Sequence, residues 1–236
     1  SEEANAAARV KKDEKIMVVL GNPPYSGHSA NKGEWARQLV ETYKKDCPEL
    51  YKPAQAKWLQ DDYVKFIAFG QWRIERTGQG ILGFITNHAY LDNPTFRGMR
   101  QSLMSTFTDI YILNLHGNAK KKETTPDGSK DENVFDIQQG VAICLLVKEL
   151  GNTGPAKVHY AELWGLHGDW PSPQPGTKYY TLSETDISTT ECDKLEPHSP
   201  YYLFVKRDET DLDEYMQGWK LPDIMNQNGD PAPGIV

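Results

Sequence analysis

The sequence is poor in cysteine, and the cysteines it has are far apart. It contains three, at Cys47, Cys144 and Cys192. An odd number of distant cysteines builds neither a disulfide framework nor a paired C-x-x-C metal site. The six histidines are never three or four residues apart, which is the spacing that joins two ligands on one helix. We therefore expect no metal ion.

The sequence also lacks a long apolar run. No stretch has the length of a membrane span, and the first residues, SEEANAAARVKKDEK, are charged where a secretory signal needs apolar side chains. These absences predict a soluble, cytoplasmic protein that has no membrane partner.

A basic excess is missing as well, because the formal net charge of the chain is -7. A protein that grips nucleic acid over its whole surface carries a basic face. The charge thus argues against that class, although an acidic catalytic core is compatible with a basic recognition module elsewhere.

The length of 236 residues allows one sizeable core and a second, smaller lobe.

Apolar runs and helical patterns alternate along the first part of the chain. Buried strands are predicted at 15–20, 80–86, 109–115 and 140–147, with a further strand at 156–163. Helices are predicted at 34–45 and 53–76 and from Asn93 onward, where the inner stripe is Phe96, Met99, Leu103 and Phe107. This order predicts an α/β fold in which a mostly parallel sheet is flanked by helices. The first strand is expected to be buried on both faces.

The composition changes beyond about residue 151. The chain becomes rich in proline, glycine, tyrosine and tryptophan. We expect two parts, residues 1–165 as the catalytic half of a domain and residues 166–236 as an irregular tail.

An unusual tetrapeptide follows the first predicted strand, where ligands of an open α/β sheet bind. It consists of Asn22, Pro23, Pro24 and Tyr25. The prolines have a fixed φ and no N–H, so this turn is stiff and offers acceptors without competing donors. The Asn22 side-chain oxygen and the Pro23 carbonyl can therefore converge on one amino group.

Such a turn suits the chemistry of an adenine amine, which is a poor nucleophile because its lone pair is delocalised. Two acceptors on its two hydrogens favour a pyramidal nitrogen whose lone pair can attack a methyl group. Tyr25 offers a face on which an extruded base can stack, a contact worth about 1–3 kcal/mol. The base must first leave the duplex.

The sequence resembles the gamma-type N6-adenine DNA methyltransferases of large single-chain restriction-modification enzymes. The resemblance covers residues 15–150 and rests on the Asn-Pro-Pro-Tyr turn together with two later blocks. These blocks are GILGFITNHAYLDNPTFRGMRQSLMSTFTDIYILNLHGN and DENVFDIQQGVAICLLVKE. The resemblance implies a Rossmann-like methyltransferase fold that uses S-adenosylmethionine and acts on a flipped adenine in double-stranded DNA.

The resemblance also implies roles for residues outside the turn. Asn22 and Pro23 would bind the target amine, and Phe135 would pack on the flipped base opposite Tyr25 or at its edge. Lys120 and Lys121 could contact the DNA backbone, although nearby acidic residues nearly cancel their charge.

One part of the family pattern is missing. Members carry an upstream strand and a glycine-rich loop that hold the cofactor, whereas here few residues precede the first strand. The G-x-G-x-x-G spacing of Gly78, Gly80 and Gly83 precedes a strand, so its context is inverted. We interpret these glycines as a helix end and a strand start. The chain is therefore expected to be one piece of a larger polypeptide that carries the cofactor motif and the recognition domain.

Two alternatives stay open. The same tetrapeptide serves enzymes that methylate a glutamine amide of a protein, and a chain without its cofactor half could also be a non-catalytic DNA-binding scaffold.

His88 and His116, which follow two predicted strands, are expected to be satisfied loop histidines. Arg97 and Arg100 are expected on the surface of their helix.

The isolated chain is predicted to bind S-adenosylmethionine weakly or not at all, and to methylate no DNA, because the cofactor motif is missing. Transfer of a labelled methyl group to adenine-containing duplexes measures this. Robust turnover by the purified chain would contradict the prediction.

Overall fold

The structure, a computed structural model, describes residues 2–25, 29, 31–51, 56–208, 210, 211, 214, 217 and 218. The chain separates into two units, Ser1–Val205 and Lys206–Val236. The fold described below belongs to the first unit. No helix in the described ranges is both long and apolar enough to cross a membrane. The predicted division at residue 165 into catalytic half and tail stays a prediction, and residues 219–236 lie outside the described part.

A six-stranded sheet forms the centre of this unit. Its strands are β1 (Val18–Gly21), β2 (Gly80–Asn87), β3 (Asp109–His116), β4 (Val141–Lys148), β5 (Lys157–Glu162) and β6 (Asp193–Leu195). They lie in the order β1-β2-β4-β3-β5-β6. The α/β fold expected from the sequence is confirmed.

Helices flank the sheet. Among the described residues the α-helices are α1 (Glu2–Asp13), α2 (Glu34–Glu41), α3 (Asp62–Thr77), α4 (Arg97–Thr106) and α5 (Lys178–Glu184), and α1 is exposed over residues 2–9. Helix α3 begins nine residues after the predicted start at 53; residues 52–55 lie outside the described part, and Lys57–Gln60 forms a 3-10 turn. Helices α1 and α5 were not predicted.

Local sequence signals explain where these helices begin and end. Gly78 ends α3 with a φ of 88°, a left-handed conformation that glycine adopts without strain. The Asn93 side chain accepts a hydrogen bond from the Thr95 N–H and caps the 3-10 turn that leads into α4. The predicted inner stripe of this helix is buried at Phe96, Met99, Leu103 and Phe107.

The sequence predicted a mostly parallel sheet, and β4 departs from that pattern. Strands β1, β2, β3 and β5 run in one direction, whereas β4 is antiparallel to both β2 and β3, and β6 is antiparallel to β5. A parallel return needs a crossover, usually through a helix. The segment between β3 and β4 contains no helix, so the chain returns in the opposite direction.

The expectation that the first strand is buried on both faces is wrong. Val18 is 55% exposed and Leu20 is 70% exposed, while Val19 between them packs against the main core. Among the described strands, β1 pairs only with β2, so it lies at the edge of the sheet. One face of β1 is covered and the other is open to solvent.

The expectation that Arg100 lies on the surface is also wrong, because its side chain is fully buried. Its guanidinium donates hydrogen bonds to the carbonyls of Tyr90, Asn93, Tyr201 and Tyr202 at 2.6–3.0 Å. The planar five-donor group satisfies several carbonyls at once. It thereby fastens the segment at 201–204 to the turns before α4.

We predict that Arg100→Met lowers the free energy of unfolding by about 3 kcal/mol, because buried carbonyls lose their donors. Urea denaturation measures the change. Arg37→Met is the matched control, since Arg37 is exposed on α2, and it should change stability little. Equal effects of the two substitutions would contradict the inferred role of Arg100.

Candidate active site

Four chain segments meet at one edge of the sheet. The carboxyl ends of β1, β2 and β3 lie there, and the reversed direction of β4 brings its amino end to the same edge. The register shows this directly, because Asn87 at the end of β2 and His116 at the end of β3 both lie opposite Val141. The turn that follows β1 and the segment that precedes β4 are therefore neighbours.

The Asn-Pro-Pro-Tyr turn presents its amide to solvent. Asn22 and Pro24 are exposed, Pro23 is buried and Tyr25 is half-buried. The Tyr25 hydroxyl donates to the carbonyl of Ile85 on β2 at 3.3 Å. Burial raises the pKa of Tyr25 above its ordinary value, so the phenol stays protonated and keeps this hydrogen bond. The turn is thus anchored by Pro23 and Tyr25 while Asn22 remains accessible.

Phe135 lies against Tyr25. The centroids of the two rings are 5.8 Å apart and their planes are tilted by 55°. Asn133 shapes the Phe135 segment: its Oδ1 accepts from the Phe135 N–H, and its Nδ2 donates to the carbonyls of Gly117 and Gln139. The structure therefore brings together the two aromatic residues that the sequence resemblance singled out.

Helix α5 holds the Phe135 segment in place, a role that the sequence did not reveal. Lys178 Nζ lies 2.8 Å from Asp131 Oδ1, and both side chains are 0% exposed. Lys178 also donates to the carbonyls of Leu115 and Glu132. Burial lowers the pKa of Lys178, and Asp131 opposes that shift. The Tyr179 hydroxyl donates to the Val134 carbonyl.

A cavity of about 510 Å³ opens beside this segment. Its lining includes Asn118, Glu123, Asn133, Phe135 and Tyr179. A cavity of this size at the strand ends of an α/β sheet is a suitable place for a ligand the size of a base.

Two buried histidines and a carboxylate lie at the same edge, and we call His88, His116 and Glu123 the histidine cluster. His88 Nδ1 lies 3.1 Å from Asn114 Oδ1, and His116 Nε2 lies 3.2 Å from Glu162 Oε1. His116 Nδ1 faces Glu123 Oε1 at 3.8 Å. Both histidines are buried, and His88 contacts the Asn114 amide whereas His116 contacts two carboxylates. The expectation of satisfied loop histidines did not include these carboxylate contacts.

The pKa values of the cluster respond to burial and to these contacts. Burial lowers the pKa of His88. Burial also acts to lower the pKa of His116, but Glu123 and Glu162 outweigh it and the pKa is raised. Burial acts to raise the pKa of Glu123, but the contacts with His116 and with the Asn118 N–H outweigh it, so the pKa is lowered.

Gly140 allows His88 to occupy its position. A Cβ atom at residue 140 would lie 2.3 Å from both Cε1 and Nε2 of the His88 ring. The backbone pairs there as well, because the His88 N–H donates to the Gly140 carbonyl at 3.0 Å. A side chain at residue 140 therefore conflicts with the ring.

The two lysines singled out in the sequence are exposed in the turn after β3. Lys120 and Lys121 are both accessible, and Lys121 Nζ lies 3.4 Å from Asp92 Oδ2. Ala119 beside them lines the cavity. Their predicted contact with a DNA backbone stays a prediction.

Comparison with known families gives one match. Residues 1–120 match the family described as Eco57I restriction-modification methylase. No curated protein sequence matches the chain.

Solved structures with the same fold include two Type ISP restriction-modification enzymes. The ATP-dependent Type ISP restriction-modification enzyme LlaBIII bound to DNA is 28% identical, with a TM-score of 0.67 over 89% of this chain and 14% of that one. The DrdV–DNA complex is 26% identical, with a TM-score of 0.67 over 90% and 21%. A nuclease-deletion mutant of the Type ISP enzyme LlaGI with a DNA substrate mimic is 22% identical, with a TM-score of 0.70 over 90% and 20%. The chain spans about a fifth or less of each.

We predict that Lys178→Met lowers the free energy of unfolding by about 3–5 kcal/mol, because it leaves the Asp131 carboxylate buried without its cation. Adding Asp131→Asn should restore part of the loss. Lys130→Met is the control, since Lys130 pairs with Glu132 but is 75% exposed, and it should have little effect. Denaturant titration measures all three, and a Lys178→Met protein as stable as the control would refute the role of the pair.

Proposed function

Since the chain belongs to the Eco57I restriction-modification methylase family, we propose that it acts in the transfer of a methyl group to the N6 amine of adenine in DNA. It does so as part of a larger restriction-modification or phage-defence protein. The observation that carries the proposal is the accessible amide of Asn22 in a turn that Pro23 and Tyr25 anchor at the strand ends.

Asn22 and Pro23 are the proposed partners of the reacting amine. The Asn22 side-chain oxygen and the Pro23 carbonyl accept hydrogen bonds from its two N–H groups, and this favours a pyramidal nitrogen whose lone pair can attack a methyl group. Because the interaction is strongest when the nitrogen has changed geometry, it lowers the barrier and does not merely bind the base. The stiffness of the two prolines limits the reorganisation that the turn undergoes.

Tyr25 and Phe135 are the proposed contacts of the flipped base. Their rings touch at 5.8 Å with a 55° tilt, which leaves no room for a base between them in this arrangement. We therefore favour a base that stacks on Tyr25 and meets Phe135 at its edge. Stacking on one aromatic face contributes about 1–3 kcal/mol.

DNA is the proposed partner. LlaBIII and DrdV, which are 28% and 26% identical to this chain, were solved with DNA. Lys120 and Lys121 are exposed close to the cavity and are suited to phosphate contacts. The overall charge of -7 implies that such contacts are local, and that most of the DNA affinity resides in other parts of the larger protein.

S-adenosylmethionine is the proposed methyl donor, but the glycines with G-x-G-x-x-G spacing do not form a site for it. Gly78 ends α3, and Gly80 begins β2 with a φ of 145°, where a Cβ would lie 2.3 Å from the Met17 carbonyl oxygen. Gly78 therefore ends a helix and Gly80 allows a close approach to the Met17 backbone, and neither belongs to a loop that follows a strand and opens a helix. The role proposed for this chain is limited to the target base.

We predict that Asn22→Ala in the intact restriction-modification protein lowers the rate of adenine methylation by about 10²–10³-fold, as expected when a polar contact specific to the transition state is lost. A duplex with 2-aminopurine at the target position reports base flipping separately, and its fluorescence should still rise. Asn152→Ala is the matched control, because Asn152 is exposed in the turn after β4.

Unchanged methylation by the Asn22→Ala protein would overturn the proposal. The same assay should include a glutamine-containing peptide as a competing acceptor. Methylation of the peptide, and not of DNA, would assign the turn to protein modification. Failure of the intact protein to methylate either acceptor would favour the scaffold alternative.

A further inference from the structure

The histidine cluster brings three potential metal ligands together. His88, His116 and Glu123 each offer one ligand atom, and these atoms lie within 4.8 Å of one another. Both histidine residues are only 6% exposed. His88 directly follows β2, whereas His116 ends β3 and Glu123 lies in the segment after it. Histidine spacing along the chain therefore did not predict the group.

Hydrogen bonds fix which nitrogen of each imidazole carries the lone pair. Asn114 Nδ2 donates to the Tyr160 hydroxyl, so Asn114 Oδ1 is the atom that faces His88 Nδ1. Nδ1 of His88 must then carry the hydrogen, which leaves the lone pair on Nε2. The Glu162 carboxylate can only accept, so Nε2 of His116 carries a hydrogen, and in the neutral imidazole Nδ1 has the lone pair.

Among the described residues, no hydrogen-bond donor contacts the Nδ1 lone pair of His116. Its Nδ1 atom is buried and has no hydrogen-bond partner among the described residues. Its nearest charged neighbour is the Glu123 oxygen at 3.8 Å, which is too far for a hydrogen bond and is itself an acceptor. A buried lone pair that faces a carboxylate is unfavourable unless a cation lies between them.

We propose that His88 Nε2, His116 Nδ1 and a Glu123 carboxylate oxygen form a binding site for a zinc ion. Two imidazoles and one carboxylate are a ligand set that zinc accepts, with a fourth position left for water. Zinc is favoured over magnesium because magnesium prefers oxygen ligands.

The surroundings of the cluster match those of a metal site. Imidazole ligands of metals usually donate their second N–H to a carboxylate or carbonyl oxygen, as His116 does to Glu162 and His88 to Asn114. In a tetrahedral zinc site the ligand atoms are about 3.4 Å apart, so a contraction on the order of 1 Å is needed. Glu123 lies in a turn that can supply it, and the Asn118 amide, 3.1 Å from His88 Nε2, is displaced.

The bound ion would connect the turn after β3 to the ends of β2 and β3. Glu123 and Asn118 line the cavity beside Phe135. Zinc binding thus fixes one wall of that cavity, and it does so independently of the methyl-transfer proposal. A proton shared between His116 and Glu123 is the competing explanation.

The experiment uses the full chain, freed of metal by a chelator and titrated with zinc chloride against a chromophoric competitor. One zinc ion per chain is expected, with no comparable response to magnesium chloride. Cobalt(II) should give visible d–d bands without a thiolate charge-transfer band, because no cysteine belongs to the cluster. If the competitor becomes saturated with zinc while the protein takes up none, the cluster is assigned to the shared proton and the proposal is overturned.

Variants locate the site. Glu123→Gln preserves the shape of the side chain and should weaken zinc at least about tenfold, while Glu162→Gln, which removes only the partner of a ligand, should weaken it about 10–100-fold. His159→Gln is the control, because His159 pairs with Asp109 at 3.2 Å without a third ligand. Circular dichroism checks that each variant is folded. Zinc affinity that survives Glu123→Gln, or falls equally in His159→Gln, would overturn the assignment.

Discussion

The direction of the strands is the constraint on which the candidate site depends. Because β1, β2 and β3 run the same way, their carboxyl ends lie at one edge of the sheet, and the turn at 22–25 is held beside the residues that follow β2 and β3. The reversal of β4 completes the arrangement. A parallel β4 would have taken Phe135 to the opposite edge, whereas the antiparallel strand sets its ring against Tyr25.

Buried polar contacts then hold the loops at this edge. The Asp131 carboxylate accepts from the Gly117 and Gly165 backbone N–H groups as well as from Lys178. A single carboxylate therefore connects the turn after β3, the segment after β5 and α5. Burying an ion pair adds little net stability, since desolvation offsets the attraction. Its effect here is geometric, because each loop has one position in which the buried groups are satisfied.

Much of the fold could be predicted from local patterns, while several features of the site could not. Apolar runs predicted β2, β3 and β4 because each run reports its own burial, and Gly78 and Asn93 marked real helix boundaries. The exposure of β1 depends on how many neighbours the strand has, which its own residues do not encode. Likewise Arg100 and Lys178 look like surface residues, and only distant carbonyls and a distant carboxylate make them buried ones. The His116 and Glu123 contact arises from the path of a loop, so no spacing rule could reveal it.

Gly140 lies so close to the His88 ring that it leaves no room for a side chain. An alanine or any larger residue at that position would have to displace the imidazole, because the added carbon would lie well inside van der Waals contact. A chain with a larger residue at the position just before its fourth strand would therefore need a different orientation of this ring.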